Sequence, residues 1–460
     1  MGSSRSAGDR LGQPGAILLC SLYELGHQPH GLAMPAAFLE RAGYRPRCVD
    51  LSVDPLTDEA IDRAELAVIA VPMHTALRLG ARLAERIRAR NPRCVLCFTG
   101  LYAAMNAAYL RELGATHVLA GESEQALLEI LERGTREPAE RTVLAKLDFP
   151  RPSRAALPAL DRYAHLEDAT GRHRVVGYVE ATRGCLDTCR HCPVPVVYGG
   201  RFFVIPKQVV LDDIAQLVEA GAEHITFGDP DFLNGPGHAF AITRELHQRW
   251  PDLSFDITAQ ITHLLRHRDR LGELVEQGCA FVVSAVESLS DDVLGRLQKR
   301  HRRAEFEQAL AACRAAGLVM RPTFVAFTPW TTLADTRALV ELIRREGLEA
   351  AIDPIQLTIR LLVPPGSLLT GELQRDGLLG ALDPGALTHT WVHPDPRLDQ
   401  LQRELADEVE GAVERDEPAE LTHARLRRLV WAATGDQPPA CTRVPRPRQR
   451  VPRISEPWFC

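Results

Sequence analysis

The chain has 460 residues with a net charge of −6, and 45% of its residues are hydrophobic and 25% charged. This composition is ordinary for a soluble globular protein and excludes a disordered, collagenous or membrane-spanning chain. The acid excess excludes a globally basic nucleic-acid binder. At about 150 residues per domain, the length predicts roughly three units. Eleven cysteines spread along the chain argue against a disulfide framework. The polar opening Met1–Ser6, with no apolar segment before Ala16, predicts a cytoplasmic location.

From Ala16 to Gly134, short apolar runs alternate with helical patterns. Strands are predicted at Ala16–Cys20, Arg47–Leu51, Leu66–Pro72, Cys94–Gly100 and His117–Gly121. Helices are predicted at Leu32–Ala42, Thr75–Arg90, Tyr102–Leu113 and Ser123–Arg133. This alternation implies an α/β, doubly wound parallel sheet over residues 1–134, which takes its ligands at the carboxyl ends of its strands. No Gly-x-Gly-x-x-Gly follows the first strand, so a nicotinamide dinucleotide is not indicated. Residues 135–173, with Pro138, Pro150, Pro152 and Pro158 and weak periodicity, read as a linker.

A second alternating series fills residues 174–365. Its strands are expected at Val175–Ala181, His224–Phe227, Ser254–Thr258, Ala280–Val286, Met320–Phe327 and Ile355–Val363. Six strands are too few for a closed eight-fold barrel, so a partial (βα)6 barrel is expected. Residues 366–436 read as a helical region, with helices at Arg397–Glu414 and Leu421–Thr434. The Pro/Arg-rich tail, residues 437–460, reads as extended or disordered, and Arg443, Arg446, Arg448, Arg450 and Arg453 make it locally basic.

The strongest chemical signal is Cys185-Leu-Asp-Thr-Cys189-Arg-His-Cys192, a C-x3-C-x2-C run on the loop after the first strand of this second series. A [4Fe–4S] cluster normally takes four thiolates, so three would leave one iron open to an exogenous ligand. The rival is a structural zinc site completed by His191 or a distant cysteine. Zinc sites usually pair two C-x2-C knuckles, and the other such pair, Cys94-Val-Leu-Cys97, lies inside a predicted strand.

This spacing, in this place, resembles the radical S-adenosylmethionine (SAM) superfamily. Two further stretches resemble it, and the likeness spans about Val175 to Pro365. One is Thr226-Phe-Gly-Asp-Pro-Asp-Phe232, similar to the segment that holds the methionyl amino group of SAM. The other is Val283-Ser-Ala-Val-Glu-Ser288 with Asp292-Val-Leu, similar to the segment that contacts the ribose. The resemblance implies that Cys185, Cys189 and Cys192 hold the cluster and that Gly228, Asp229 and Glu287 contact SAM. It also implies reductive cleavage of SAM to a 5′-deoxyadenosyl radical that attacks an unactivated carbon. One departure is His191, where the family often has an aromatic residue before the third cysteine.

The order of doubly wound domain, linker and barrel resembles the cobalamin-binding subfamily, as do the stretches His30–Tyr44, Val95–Gly100 and His117–Glu124. That resemblance implies cobalamin as a further cofactor, with Thr99, Gly100 and Gly121 beneath the corrin, and methyl transfer to carbon as the leading reaction. The Asp-x-His-x-x-Gly motif of a lower cobalt ligand is absent, since His27, His30 and His74 all fail it. Methylthiotransferases share this domain order, and would need Cys20, Cys48 and Cys94 or Cys97 for a second cluster. A non-catalytic iron–sulfur or corrinoid sensor is a third reading. The expected partners are a small-molecule or peptide substrate and a reductant such as a flavodoxin or ferredoxin, with no nucleic acid and no membrane. Ser455-Glu-Pro-Trp-Phe-Cys460 resembles the approach to a cysteine–selenocysteine (or Cys-Cys)-Ala-Glu-Pro tail, which implies a natural chain reading on past Cys460 through a selenocysteine codon. A plain C-terminus is the other reading.

Overall fold

A computed structural model describes residues 10–437 and 450–456. The Met1–Ser6 opening, the tail arginines Arg443, Arg446 and Arg448, and Cys460 lie outside the described residues. The chain divides into two compact units. The first comprises residues 1–165, 175–188 and 192–229; the second comprises residues 166–174, 189–191 and 230–460.

The first unit opens with six parallel strands: β1 (Ile17–Ser21), β2 (Arg47–Asp50), β3 (Leu66–Ala70), β4 (Val95–Thr99), β5 (His117–Gly121) and β6 (Ala139–Val143). They are ordered β2-β1-β3-β4-β5-β6, and every pairing is parallel. β1, β3 and β4 are buried along their whole length, which is why they read as unbroken apolar runs. The strand order reverses between β1 and β3, the switch point where such sheets open a crevice. Two differences from the sequence expectation stand out. The helix expected over Tyr102–Leu113 is two short helices, Leu101–Met105 and Ala107–Glu112, broken at Asn106, whose side chain bonds back to the Tyr102 carbonyl. The expected linker contains β6, a polar edge strand with no apolar alternation to betray it.

The same unit carries β8 (His173–Val179) from Val175 onward, which pairs parallel with β11 (His224–Phe227); β7 (His165–Glu167), earlier in the chain, falls mostly in the second unit. Between β8 and β11 lie the antiparallel pair β9 (Thr182–Gly184) and β10 (Phe202–Val204), with the cysteine run in the loop that joins them.

In the second unit β12 (Ser254–Thr258), β13 (Cys279–Glu287) and β14 (Met320–Phe324) run parallel in the order β14-β13-β12. Helices Pro236–Arg249, Leu271–Glu276, Arg303–Ala315 and Leu333–Glu346 alternate with them. These three parallel strands belong to a curled half-barrel sheet. The last of these helices starts at a capping box, Thr332 with Asp335, and stops at Gly347 in a left-handed turn. The sixth strand expected over Ile355–Val363 is instead a 3-10 helix, Pro354–Thr358, followed by an isolated parallel bridge between Phe327 and Arg360. Pro354 at its first position suits a helical start and cannot donate to a sheet ladder. Helices Pro396–Glu414 and Ala419–Ala433 follow, close to expectation. Within the tail, Arg453–Ile454 is extended and pairs antiparallel with Leu166 and Glu167. No helix among the described residues is long and apolar enough to cross a membrane.

Candidate functional site

The cysteine loop is built from its flanks inward. β9 and β10 zip its two ends together, with Phe202 opposite Gly184. A Cβ on Gly184 would lie 2.4 Å from the Arg201 carbonyl and 2.7 Å from the Tyr198 ring, so the entry to the loop has room only for glycine. Cys185 and Cys189 are buried and Cys192 half-buried. The Asp187 N–H donates to Cys185 Sγ at 3.4 Å, the kind of contact that steadies a thiolate. Three soft sulfur donors within eight residues suit an iron–sulfur cluster far better than a hard cation. Cys185 packs with Val194, Val197 and Tyr198 in an apolar cluster that also contains Ala120 from β5. Within this unit, the carboxyl end of the doubly wound sheet therefore lies against the cysteine loop.

A buried ionic knot joins the same two elements. Arg183, in β9, reaches Glu124 at 2.8 Å, Glu122 at 3.4 Å and Glu180 at 2.9 Å. Tyr198 donates its hydroxyl to Glu122 at 3.1 Å. Burial pushes the Glu122 carboxyl up to about 7 despite the neighbouring guanidinium. Nothing local in the sequence links Glu122 to Arg183, 61 positions later, so pattern reading misses this knot.

Of the residues expected to contact SAM, Gly228 and Asp229 have work within the chain. A Cβ on Gly228 would lie 1.8 Å from the Tyr178 hydroxyl. The Asp229 carboxylate accepts from the Ala181 N–H at 3.0 Å and from the Thr182 hydroxyl at 2.5 Å, which pins the chain leading into the loop. Burial raises this carboxyl to about 7. Glu287, at the end of β13, lies 3.1 Å from His191 Nε2 and 3.5 Å from Lys299 Nζ. These two neighbours hold its carboxyl down at about 2 although burial opposes them.

The residues expected beneath a corrin lie at the carboxyl edge of the first sheet, at the ends of β4 and β5. Thr99 is buried. Gly100 (φ +109°) and Gly121 (φ +69°) both have left-handed backbone, and a Cβ would lie 2.9 Å from the Val71 carbonyl and 2.2 Å from the Val143 carbonyl respectively. The sheet's own packing thus requires both glycines. At the switch point the ring of His27 stacks on Tyr178 at 3.5 Å between centroids. Arg154 binds Asp213 through two short bonds nearby and donates to the Tyr178 carbonyl.

Residues 179–346 match the family model for the radical SAM superfamily. The chain carries a radical SAM domain. That family uses a [4Fe–4S] cluster and SAM. Among curated proteins, a bacteriochlorophyllide d C-8(2)-methyltransferase of Chlorobaculum tepidum is 24% identical over 65% of this chain and 66% of its own length. A hopanoid C-3 methylase of Methylococcus capsulatus is 23% identical over 70% of this chain and 64% of its own. The ribosomal protein uS12 methylthiotransferase RimO of Porphyromonas gingivalis is 25% identical over 40% of this chain and 44% of its own. The chain therefore spans between about two fifths and two thirds of these relatives. Among solved structures, the cobalamin-dependent SAM radical enzyme OxsB with aqua-cobalamin bound superposes with a TM-score of 0.69 at 14% identity, over 90% of this chain and 72% of its own. The radical SAM methyltransferase TsrM from Kitasatospora setae, with tryptophan and a SAM analogue bound, gives 0.61 at 16% identity, over 78% of this chain and 76% of its own. The radical SAM domain thus sits in a chain with the fold of cobalamin-dependent radical SAM enzymes.

Proposed function

We propose that this protein is a cobalamin-dependent radical SAM enzyme, most simply a methyltransferase acting on an unactivated carbon of a small-molecule or peptide substrate. The observation that carries the reading is the packing of Ala120, at the carboxyl end of a doubly wound sheet, against Cys185 and its apolar neighbours. A ligand in the sheet's crevice would sit beside a cluster held by Cys185, Cys189 and Cys192. When bound, the cluster with SAM supplies reductive cleavage to methionine and a 5′-deoxyadenosyl radical, and a corrin supplies a methyl carrier. The chain's own part is to hold the cysteine loop rigid through Gly184, Asp229 and the Arg183 knot, and to wall it with apolar side chains that keep water out. Thr99, Gly100 and Gly121 form the sheet edge over which a corrin would lie. The electron comes from a reductant of the flavodoxin or ferredoxin class, and a cytoplasmic location fits this chemistry.

The methylthiotransferase reading needs three front-domain cysteines on one loop or face. Strand register opposes it: Cys48 pairs beside Leu19 and so points to the other face of the sheet from Cys20, while Cys97 shares the face of Cys48. Burial also pushes the Cys48 and Cys94 thiols up to about 12, far from the thiolate form a cluster needs.

The test is anaerobic reconstitution with iron, sulfide and cobalamin, followed by metal counts and a SAM-cleavage assay with dithionite. The expected result is about four irons per chain, stoichiometric cobalt, and 5′-deoxyadenosine that vanishes in Cys189→Ala. A loaded cluster that never cleaves SAM would leave a binding protein, and cleavage without cobalt retention would remove the corrin.

A further inference from the structure

His191 departs from the aromatic residue that the superfamily often places before the third cysteine, and the structure shows what this chain does with it. Its Nε2 lies 3.1 Å from Glu287 Oε1, while its Nδ1 is buried with no hydrogen-bond partner among the described residues. Glu287 is one of few non-glycine residues with left-handed backbone (φ +67°), and it sits where the pairing of β13 with β14 slips register. Such backbone persists only where the surroundings over-determine it. Lys299 lies behind Glu287. Its Nζ is 3.5 Å from the same Oε1 and 3.4 Å from Gln260 Oε1, and its side chain is 1% exposed against 8% for Glu287. The main chain reinforces the link, because the Arg190 N–H donates to the Leu297 carbonyl at 2.9 Å. Lys299, Glu287 and His191 thus form a buried line that starts in the half barrel and ends one residue before Cys192.

We propose that Lys299 and Glu287 are positioning residues that act through His191, setting the turn before Cys192 and aiming the imidazole Nδ1 at bound SAM. The carboxylate engages Nε2 and so orients the ring, as a carboxylate does behind a metal-bound histidine. That leaves Nδ1 as the ring atom free to hydrogen-bond SAM. Glu287 then need not touch SAM at all, in contrast to the ribose contact implied by family resemblance. This inference rests on the radical SAM reading.

A double-mutant cycle on the reconstituted enzyme tests it, with SAM affinity from equilibrium dialysis and the EPR signal of the reduced cluster as readouts. Glu287→Gln should weaken SAM binding by about tenfold, the lower end of what lost outer-shell partners cost, and Lys299→Met should do the same. In a His191→Phe background, which restores the aromatic, Glu287→Gln should change affinity by less than about twofold, because interacting residues are non-additive. An equal loss in both backgrounds would mean a direct Glu287 contact with SAM and would overturn the proposal. So would Lys299→Met with unchanged SAM affinity and an unchanged cluster signal. If either single variant fails to fold, the double variant Lys299→Met/Glu287→Gln removes both buried charges together and takes its place. It should then match the single-variant loss, and full SAM affinity in it would overturn the proposal. A wild-type protein with about four irons that binds no SAM would instead sink the radical SAM reading itself.

Discussion

The Arg183 knot offers a sharp test of how charge holds the cysteine loop. Replacing Arg183 by Met keeps most of the apolar stem and removes the guanidinium facing Glu122, Glu124 and Glu180, whose side chains are 0%, 4% and 23% exposed. Breaking a buried ion pair by deleting one partner costs about 3–5 kcal/mol. The loss should also depend on pH. Glu122 already sits near 7 in the folded chain, and Arg183 is among the groups holding it down. Without Arg183 its folded pKa rises further above its unfolded value. An acid with a raised folded pKa binds its proton more tightly when folded, so stability falls as pH rises through that window. From pH 6 to pH 8 the variant loses up to about 1.4 kcal/mol beyond wild type, the limit reached when Glu122 stays protonated throughout. We therefore expect anaerobic thermal unfolding to show a larger deficit for Arg183→Met at pH 8 than at pH 6, while Arg183→Lys shows one independent of pH. Equal deficits for Arg183→Met at both pH values would refute the electrostatic argument and leave only lost packing.

Three further outcomes are expected. Burial lifts Glu24 to about 8, so through this group wild-type stability falls by about 1.4 kcal/mol per pH unit from roughly 4.5 to 8; Glu24→Gln should flatten that slope, and parallel melting profiles would contradict it. Arg154→Met strands the buried Asp213, to which it makes bonds of 2.6 and 2.8 Å, at about 3–5 kcal/mol, and Arg154→Met/Asp213→Leu should recover most of the denaturant midpoint. Gly228→Ala places a methyl 1.8 Å from the Tyr178 hydroxyl; it should cost about 1–3 kcal/mol as overpacking and disturb the His27–Tyr178 stack, seen as a changed tyrosine near-UV signal.

What the sequence revealed follows from how local each signal is. The cysteine run is eight residues of contiguous chain, and its placement after a strand needed only a short apolar segment to be read. β1, β3 and β4 were equally plain, because a strand covered on both faces is apolar at every position. β6 went unread for the complementary reason. It lies at the sheet edge with Glu140, Arg141 and Thr142 exposed, so it carries no apolar signature although it makes five register pairs with β5. Segment 355–363 failed in the other direction: Leu357, Leu361 and Val363 are buried, but burial alone does not distinguish a strand from a 3-10 turn, and Pro354 starts the turn.

The site divides along the same line. The ligand set is local and legible, whereas the groups that hold it are distant in sequence. Arg183 finds Glu122 across 61 positions, and His191 finds Glu287 across 96. Both links end within two residues of a candidate cluster ligand, and both run through carboxylates with little or no exposure. Between Gly184 and the helix Val194–Tyr198 the three thiolates sit on chain with no regular secondary structure of its own. Rigid placement must come from outside the loop. Buried ion pairs do this well, because an unpaired buried charge is so costly that few alternative arrangements of the loop are tolerated. The chemistry is thus written in eight residues, and its geometry is enforced by charges that only the fold brings within reach.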